Sequence, residues 1–179
     1  MTMHRDLVIN KITDILGATD DSLEAEFVAL CDDANRIFIT GAGRSRLVGN
    51  FLGMRLMHSG YTVYIQGEIS TPSIREGDLL IVISGSGETT QLVSFANKAK
   101  SENAKVALIC SKSSSTIGDI ADKTIQVGSD NSFTPTKGMP MGTMFELSTL
   151  IFLESIVSHL IHEKGIPEEE MKFRHANME

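Results

Sequence analysis

The stretch Asp78-Leu-Leu-Ile-Val-Ile-Ser84-Gly85-Ser86-Gly87-Glu88-Thr89 decides the architecture. Its five consecutive aliphatic residues show no polar alternation. Such a run belongs to a strand covered on both faces, as in a parallel sheet between layers of helices. The small polar segment after it leads into a helical pattern from Thr89 to Ser101. The same succession occurs upstream. Arg36-Ile-Phe-Ile-Thr40 is a second buried strand, and it runs through Gly41-Ala-Gly-Arg-Ser45 into a helix over Ser45–Ser59 that Gly60 stops. Strands are also expected over Tyr61–Ile65, Lys105–Cys110 and Lys123–Val127, with a short helix over Ile117–Ala121. A long helix is expected from Pro140 to Lys164, ended by Gly165, and a charged tail from Met171 onward. Five strands alternating with helices predict an α/β fold, a three-layer αβα sandwich on a five-stranded parallel sheet. Two extra N-terminal helices, Asp6–Leu16 and Ser22–Cys31, precede this unit and pack on it or on a second subunit. No repeat or linker interrupts residues 1–179, so a single domain is expected.

Composition narrows the function classes. The net charge of −7 argues against a nucleic-acid partner, because phosphate backbones require a basic face. It leaves room for a small phosphorylated ligand, which one cluster of donors can hold. No apolar run reaches the roughly 18 residues of a membrane span, and no signal-peptide pattern opens the chain, so no membrane partner is expected. Cys31 and Cys110 lack metal-ligand spacing and read as buried thiols of a cytoplasmic protein. His159 and His162 stand three residues apart but have no nearby Cys or Asp partner. They read as a solvated helix end, and no metal is expected.

In open parallel sheets ligands collect at the carboxyl ends of the strands. The loop Ser84-Gly85-Ser86-Gly87-Glu88-Thr89 combines close-approach glycines, hydroxyl donors and the unpaired N–H groups of a helix start. It reads as a phosphate cradle without lysine, in which Ser84, Gly85, Ser86, Gly87, Glu88 and Thr89 bind. Inward, the Glu88 carboxylate would repel a dianion, so it is expected to face away or to support the helix start. The loop Gly41–Ser45 is not a dinucleotide fingerprint. Arg46 holds the third glycine position, and Tyr61–Ile65 has no carboxylate for a ribose. No Gly-Lys-Ser/Thr follows either, so no cofactor is expected. Arg44 and Ser45 form the second wall of the pocket and are expected to reach a phosphate or a sugar hydroxyl.

This pair of loops, each closing a strand of a five-stranded unit, resembles the flavodoxin-like sugar isomerase (SIS) domain. The blocks Gly41–Ser45, Met54-Arg-Leu-Met-His58, Gly67-Glu68 with Thr71-Pro72, Ser84–Thr89, Pro140–Glu146 and Arg174-His-Ala-Asn-Met-Glu179 are similar to the 6-phospho-3-hexuloisomerases across nearly the whole chain. The serine-rich loop specifies only the superfamily; the Met-Arg-Leu-Met-His block and the tail are more specific. The resemblance implies a metal-free homotetramer that interconverts D-arabino-3-hexulose 6-phosphate and fructose 6-phosphate, in ribulose monophosphate and formaldehyde metabolism. A base would take the C2 proton, an enediol would form, and a proton would return to C3. The C6 oxygen carries the phosphate, so the 3-ketose cannot close a five-membered ring through it and is open-chain.

Three glutamates compete for the base. Glu88 sits beside the phosphate, and Glu68 follows the second strand. Glu146 shares a helix face with Leu150, Leu153 and Val157, where burial should raise its pKa toward a useful value. The resemblance also points to Glu146. His58, on a face with Phe51 and Met54, and His175, in the tail, are candidates to polarise the substrate oxygens, His175 across a subunit boundary. The long helix is apolar over more than one stripe, which suits a helix between sheet and partner subunit. Two other readings stay open: a non-catalytic sugar-phosphate sensor, and an isomerase of another sugar phosphate.

Overall fold

The computed structural model describes residues 3–135, 137–139 and 143–178. Among the described residues twelve elements follow one another: α1 (His4–Leu16), α2 (Ser22–Asp32), β1 (Ile37–Gly41), α3 (Arg44–His58), β2 (Val63–Ile65), β3 (Leu79–Ile83), α4 (Thr90–Ser101), β4 (Lys105–Cys110), α5 (Thr116–Ile120), β5 (Lys123–Gln126), α6 (Thr143–Lys164) and α7 (Glu168–Arg174). The five strands form one parallel sheet in the order β2-β1-β3-β4-β5. Every residue of β1 and β3 is buried, which is why both read as unbroken apolar runs.

Side chains of alternating direction divide the core. One layer joins Ile37, Ile39, Leu79, Ile81 and Ile83 to α1, α2, α3 and α6. The other joins Phe38, Leu80 and Val82 to α4 and α5. The two leading helices therefore pack on this chain's own α6. No helix joins β2 to β3, and residues 66–78 make that crossing. By length and composition α6 is apolar enough to cross a membrane, but half of that window is buried inside the protein, as in a core helix. The expected helix start at Pro140 lies outside the described residues.

One difference from expectation stands out. The tail is a helix, α7, that buries none of its own side chains. Arg174 anchors it by donating to the His58 carbonyl at the end of α3 (3.1 Å), where a cation suits the helix dipole. Capping of α2 involves Asp20, which accepts from the Ser22 N–H (2.9 Å), whereas Asp21 occupies the cap position without a side-chain bond.

Candidate active site

The chain leaves β1 into α3 on one face of the sheet and leaves β3 into α4 on the other. β1 and β3 are neighbours in register, Gly41 beside Ile83. Their carboxyl ends thus flank a topological switch point, the place where open α/β sheets bind ligands. Gly43 makes the first turn possible: at φ 55°, ψ −127° it adopts a backbone conformation closed to other residues.

The second turn is the Ser84–Thr89 loop. The Ser84 hydroxyl accepts from the Gly87 N–H and the Ser86 hydroxyl from the Glu88 N–H, both at 3.2 Å. A hydroxyl that accepts still carries a hydrogen to donate. Ser86 is exposed and Thr89 half-buried. Thr89 is the N-cap of α4 yet makes no side-chain capping bond, so its hydroxyl is not consumed by the helix. The loop can present hydroxyl donors and the α4 N-terminus to an anion.

The first turns of α6 lie over this loop. Phe145 packs so closely on Gly85 that a Cβ there would stand 3.1 Å from its ring. The next residue, Glu146, approaches Arg44 at the start of α3, with Nε–Oε2 at 3.5 Å. The Glu146 side chain is 16% exposed. Its Oε2 is buried and accepts no hydrogen bond among the described residues. A buried carboxylate oxygen that accepts no hydrogen bond from the described residues, beside an arginine and one position from the Phe145 that packs on the loop, suits proton abstraction from a phosphorylated ligand.

Residues 31–151 match the SIS domain model. The chain belongs to the SIS domain family. It is 48% identical to the 3-hexulose-6-phosphate isomerase of Methylomonas aminofaciens, covering all of both chains. It is 44% identical to the Bacillus subtilis enzyme of that name, over 82% of this chain and 81% of that one. A Methanococcus jannaschii structure, described as inferring a molecular function of 3-hexulose-6-phosphate isomerase, superposes with a TM-score of 0.87 at 35% identity over 98% of each chain.

Within this SIS domain the expected site residues divide into two groups. Arg44, Ser45, Glu146 and the Ser84–Thr89 loop gather at the carboxyl ends of β1 and β3. Arg44 lies against Glu146. Ser45 is buried in the first turn of α3. The other group, His58 and His175, stack with ring centroids 5.0 Å apart at the far end of α3. Fourteen helical steps run from Arg44 to His58, roughly 21 Å. The pair lines a different cavity of about 490 Å³ with Phe51, Met54, Met171 and Lys172. Within one chain, the structure does not bring the histidines to Glu146.

Glu68 is exposed and lines a third cavity, of about 350 Å³, against Phe38, Leu80 and Phe95 on the α4 side of the sheet. The Glu88 carboxylate also points away from the pocket. It accepts from both the N–H and the hydroxyl of Thr116, at 2.9 and 2.6 Å, and so supports the start of α5 rather than of its own helix. Those two bonds, the hydroxyl's first, hold its pKa below the usual glutamate value. The carboxylate is thus engaged with Thr116, while the Glu88 N–H donates within the loop to the Ser86 hydroxyl.

The sequence pattern did not single out the segment behind the Ser84–Thr89 loop. The Ser111 hydroxyl and N–H both donate to the Gly85 carbonyl, at 2.7 and 3.1 Å, and the Ile117 N–H donates to the Gly87 carbonyl at 3.0 Å. Asp130 accepts from the Ser113 N–H and hydroxyl. The run Ser113-Ser-Ser-Thr116 after β4 was the available signal.

Proposed function

We propose that this SIS domain protein interconverts D-arabino-3-hexulose 6-phosphate and fructose 6-phosphate through an enediol. The observation that carries the reading is the Glu146 carboxylate, held beside Arg44 on a helix whose Phe145 rests on the Ser84–Thr89 loop. The loop anchors the phosphate. Glu146 moves the proton between C2 and C3. Arg44 supplies positive charge where the enediolate oxygen develops. The full-length 48% identity to a 3-hexulose-6-phosphate isomerase supports the choice of substrate.

His58 and His175 enter the reaction from a neighbouring subunit of a homotetramer. Leu47, Phe51 and Met54 on α3 and Ile151 on α6 are exposed large apolar residues, which supports burial between copies. The cytoplasm, ribulose monophosphate chemistry and formaldehyde metabolism complete the reading. Burial pushes the thiols of Cys31 and Cys110 upward, so both are unreactive at neutral pH and compatible with a reducing compartment.

Incubation with fructose 6-phosphate in heavy water tests the reaction. Deuterium at C3 of fructose 6-phosphate and at C2 of a 3-ketose product is expected; binding without exchange would turn the reading to a sensor. Mixed oligomers of Glu146→Gln and His175→Ala chains test the subunit boundary. Activity above that of either parent is expected, and none would place each site within one chain.

A further inference from the structure

The phosphate loop is not held by its internal bonds alone. It is keyed from behind by the segment that joins β4 to α5. Gly85 and Gly87 give their carbonyls to Ser111 and Ile117. Gly87 has φ 68°, and a Cβ there would fall 2.1 Å from the Ser115 hydroxyl oxygen, so Ser115 occupies the space beneath the turn. Ser115 in turn caps α5 by accepting from the Gly118 N–H at 3.1 Å. All of these contacts use backbone groups of the loop, with one exception. Glu88 contributes the loop's side-chain bond to this segment, a two-point grip on Thr116.

We infer that Glu88 is a positioning residue. By holding Thr116 it fixes the backbone of the phosphate loop in the form that binds the sugar phosphate, without touching the ligand through its carboxylate. The geometry explains why a glutamate stands beside a dianion site at all. Both oxygens are occupied 2.9 Å and 2.6 Å away on the outer side, and the charge faces the N-terminus of a separate helix. The Glu88 N–H meanwhile donates to the Ser86 hydroxyl at 3.2 Å. A displacement of the Glu88 side chain is thus carried through its Cα to its own N–H, and by that hydrogen bond to Ser86. Loss of the grip moves binding groups and leaves Glu146, on α6, where it was.

This inference rests on the Ser84–Thr89 loop being the phosphate site, and the experiment separates the two. KM and kcat for fructose 6-phosphate, and competitive inhibition by inorganic phosphate, are measured for Ser86→Ala, Glu88→Ala, Thr116→Val and Thr116→Ser, well below their melting temperatures. Ser86→Ala is expected to raise both KM and the phosphate inhibition constant; if it raises neither, the loop is not the phosphate site. Given that effect, Glu88→Ala is expected to raise both constants about tenfold, with kcat within about twofold of the parent, the loss of a charge-assisted pair of bonds. Thr116→Val keeps the N–H and loses the hydroxyl, and a rise of about threefold is expected. Thr116→Ser restores the hydroxyl and is expected to match the parent. Unchanged constants in Glu88→Ala and Thr116→Val, or a loss confined to kcat, would overturn the inference. If Glu88→Ala fails to fold, Thr116→Val against Thr116→Ser decides it.

Discussion

Asp78 and Glu146 are both carboxylates largely withdrawn from water, at opposite ends of the strand layer, and they are treated in opposite ways. Asp78 is 2% exposed, at the entrance to β3. It accepts from Arg36 Nε and Nη2 at 2.9 and 2.6 Å and from the Arg75 N–H at 2.8 Å. Arg36 precedes β1 as Asp78 precedes β3, and the pairing of Ile37 with Leu79 sets them side by side. The pair ties two central strands at their amino ends. Glu146, at the carboxyl ends, has an arginine 3.5 Å from Oε2 and, among the described residues, no hydrogen bond to that oxygen. A buried carboxylate with both oxygens hydrogen-bonded is structural, because neither oxygen is left open to a proton. An unsaturated one keeps a place for a proton.

The comparison breaks if the two groups fail in the same way. Glu146→Gln is expected to lower kcat by about 10²–10⁴-fold, the range of general-base catalysis, with little change in melting temperature. Steady-state kinetics and calorimetry on one preparation would show it. Arg36→Ala should do the reverse. It leaves the Asp78 charge buried without its partner and costs about 3–5 kcal/mol by denaturant titration, while the folded fraction keeps its kcat. A large kcat defect in Arg36→Ala, or a large stability defect in Glu146→Gln, would erase the distinction.

A gentler effect sharpens it. Among the exposed carboxylates around the loop, Glu88 and Asp130 have pKa values held down, by the Thr116 and Ser113 hydroxyls first. A depressed folded pKa contributes stability that is fully present above the unfolded value and is lost as pH falls through the folded one. Denaturant midpoints should therefore be insensitive to these groups at pH 5–7 and fall below roughly pH 4.5, the unfolded glutamate range. Glu88→Gln should flatten that acid limb, and an unchanged slope would mean that the Thr116 grip contributes nothing to folding.

Much of the fold was legible because it follows from periodicity. Leu79–Ile83 and Ile37–Gly41 are buried on both faces, and unbroken aliphatic runs say so directly. The tail was not legible as a helix, since α7 has no buried side chain to give it a stripe. It is held by Arg174 on the His58 carbonyl and by the ion pairs Glu168–Lys172 and Glu170–Arg174. The loops of the candidate site were visible as glycine turns after strands. Their side-chain directions were not. Glu88 meets Thr116 and Arg44 meets Glu146 across long separations in the chain, and such meetings depend on how α5 and α6 dock. Asp78 read only as the first residue of a strand, because a satisfied charge and a solvated one look alike in sequence.

The serine beneath Gly87 has a last consequence. With Ser115 filling the space where any side chain at position 87 would go, the end of the pocket that would hold the phosphate in the proposed reaction is a fixed datum. In the proposed reaction the sugar carbons are counted from that datum, and the distance to Glu146 works as a ruler. A ketose phosphate one carbon shorter would dock as well and present the wrong carbon to the base. Chain length is then discriminated in turnover rather than in affinity.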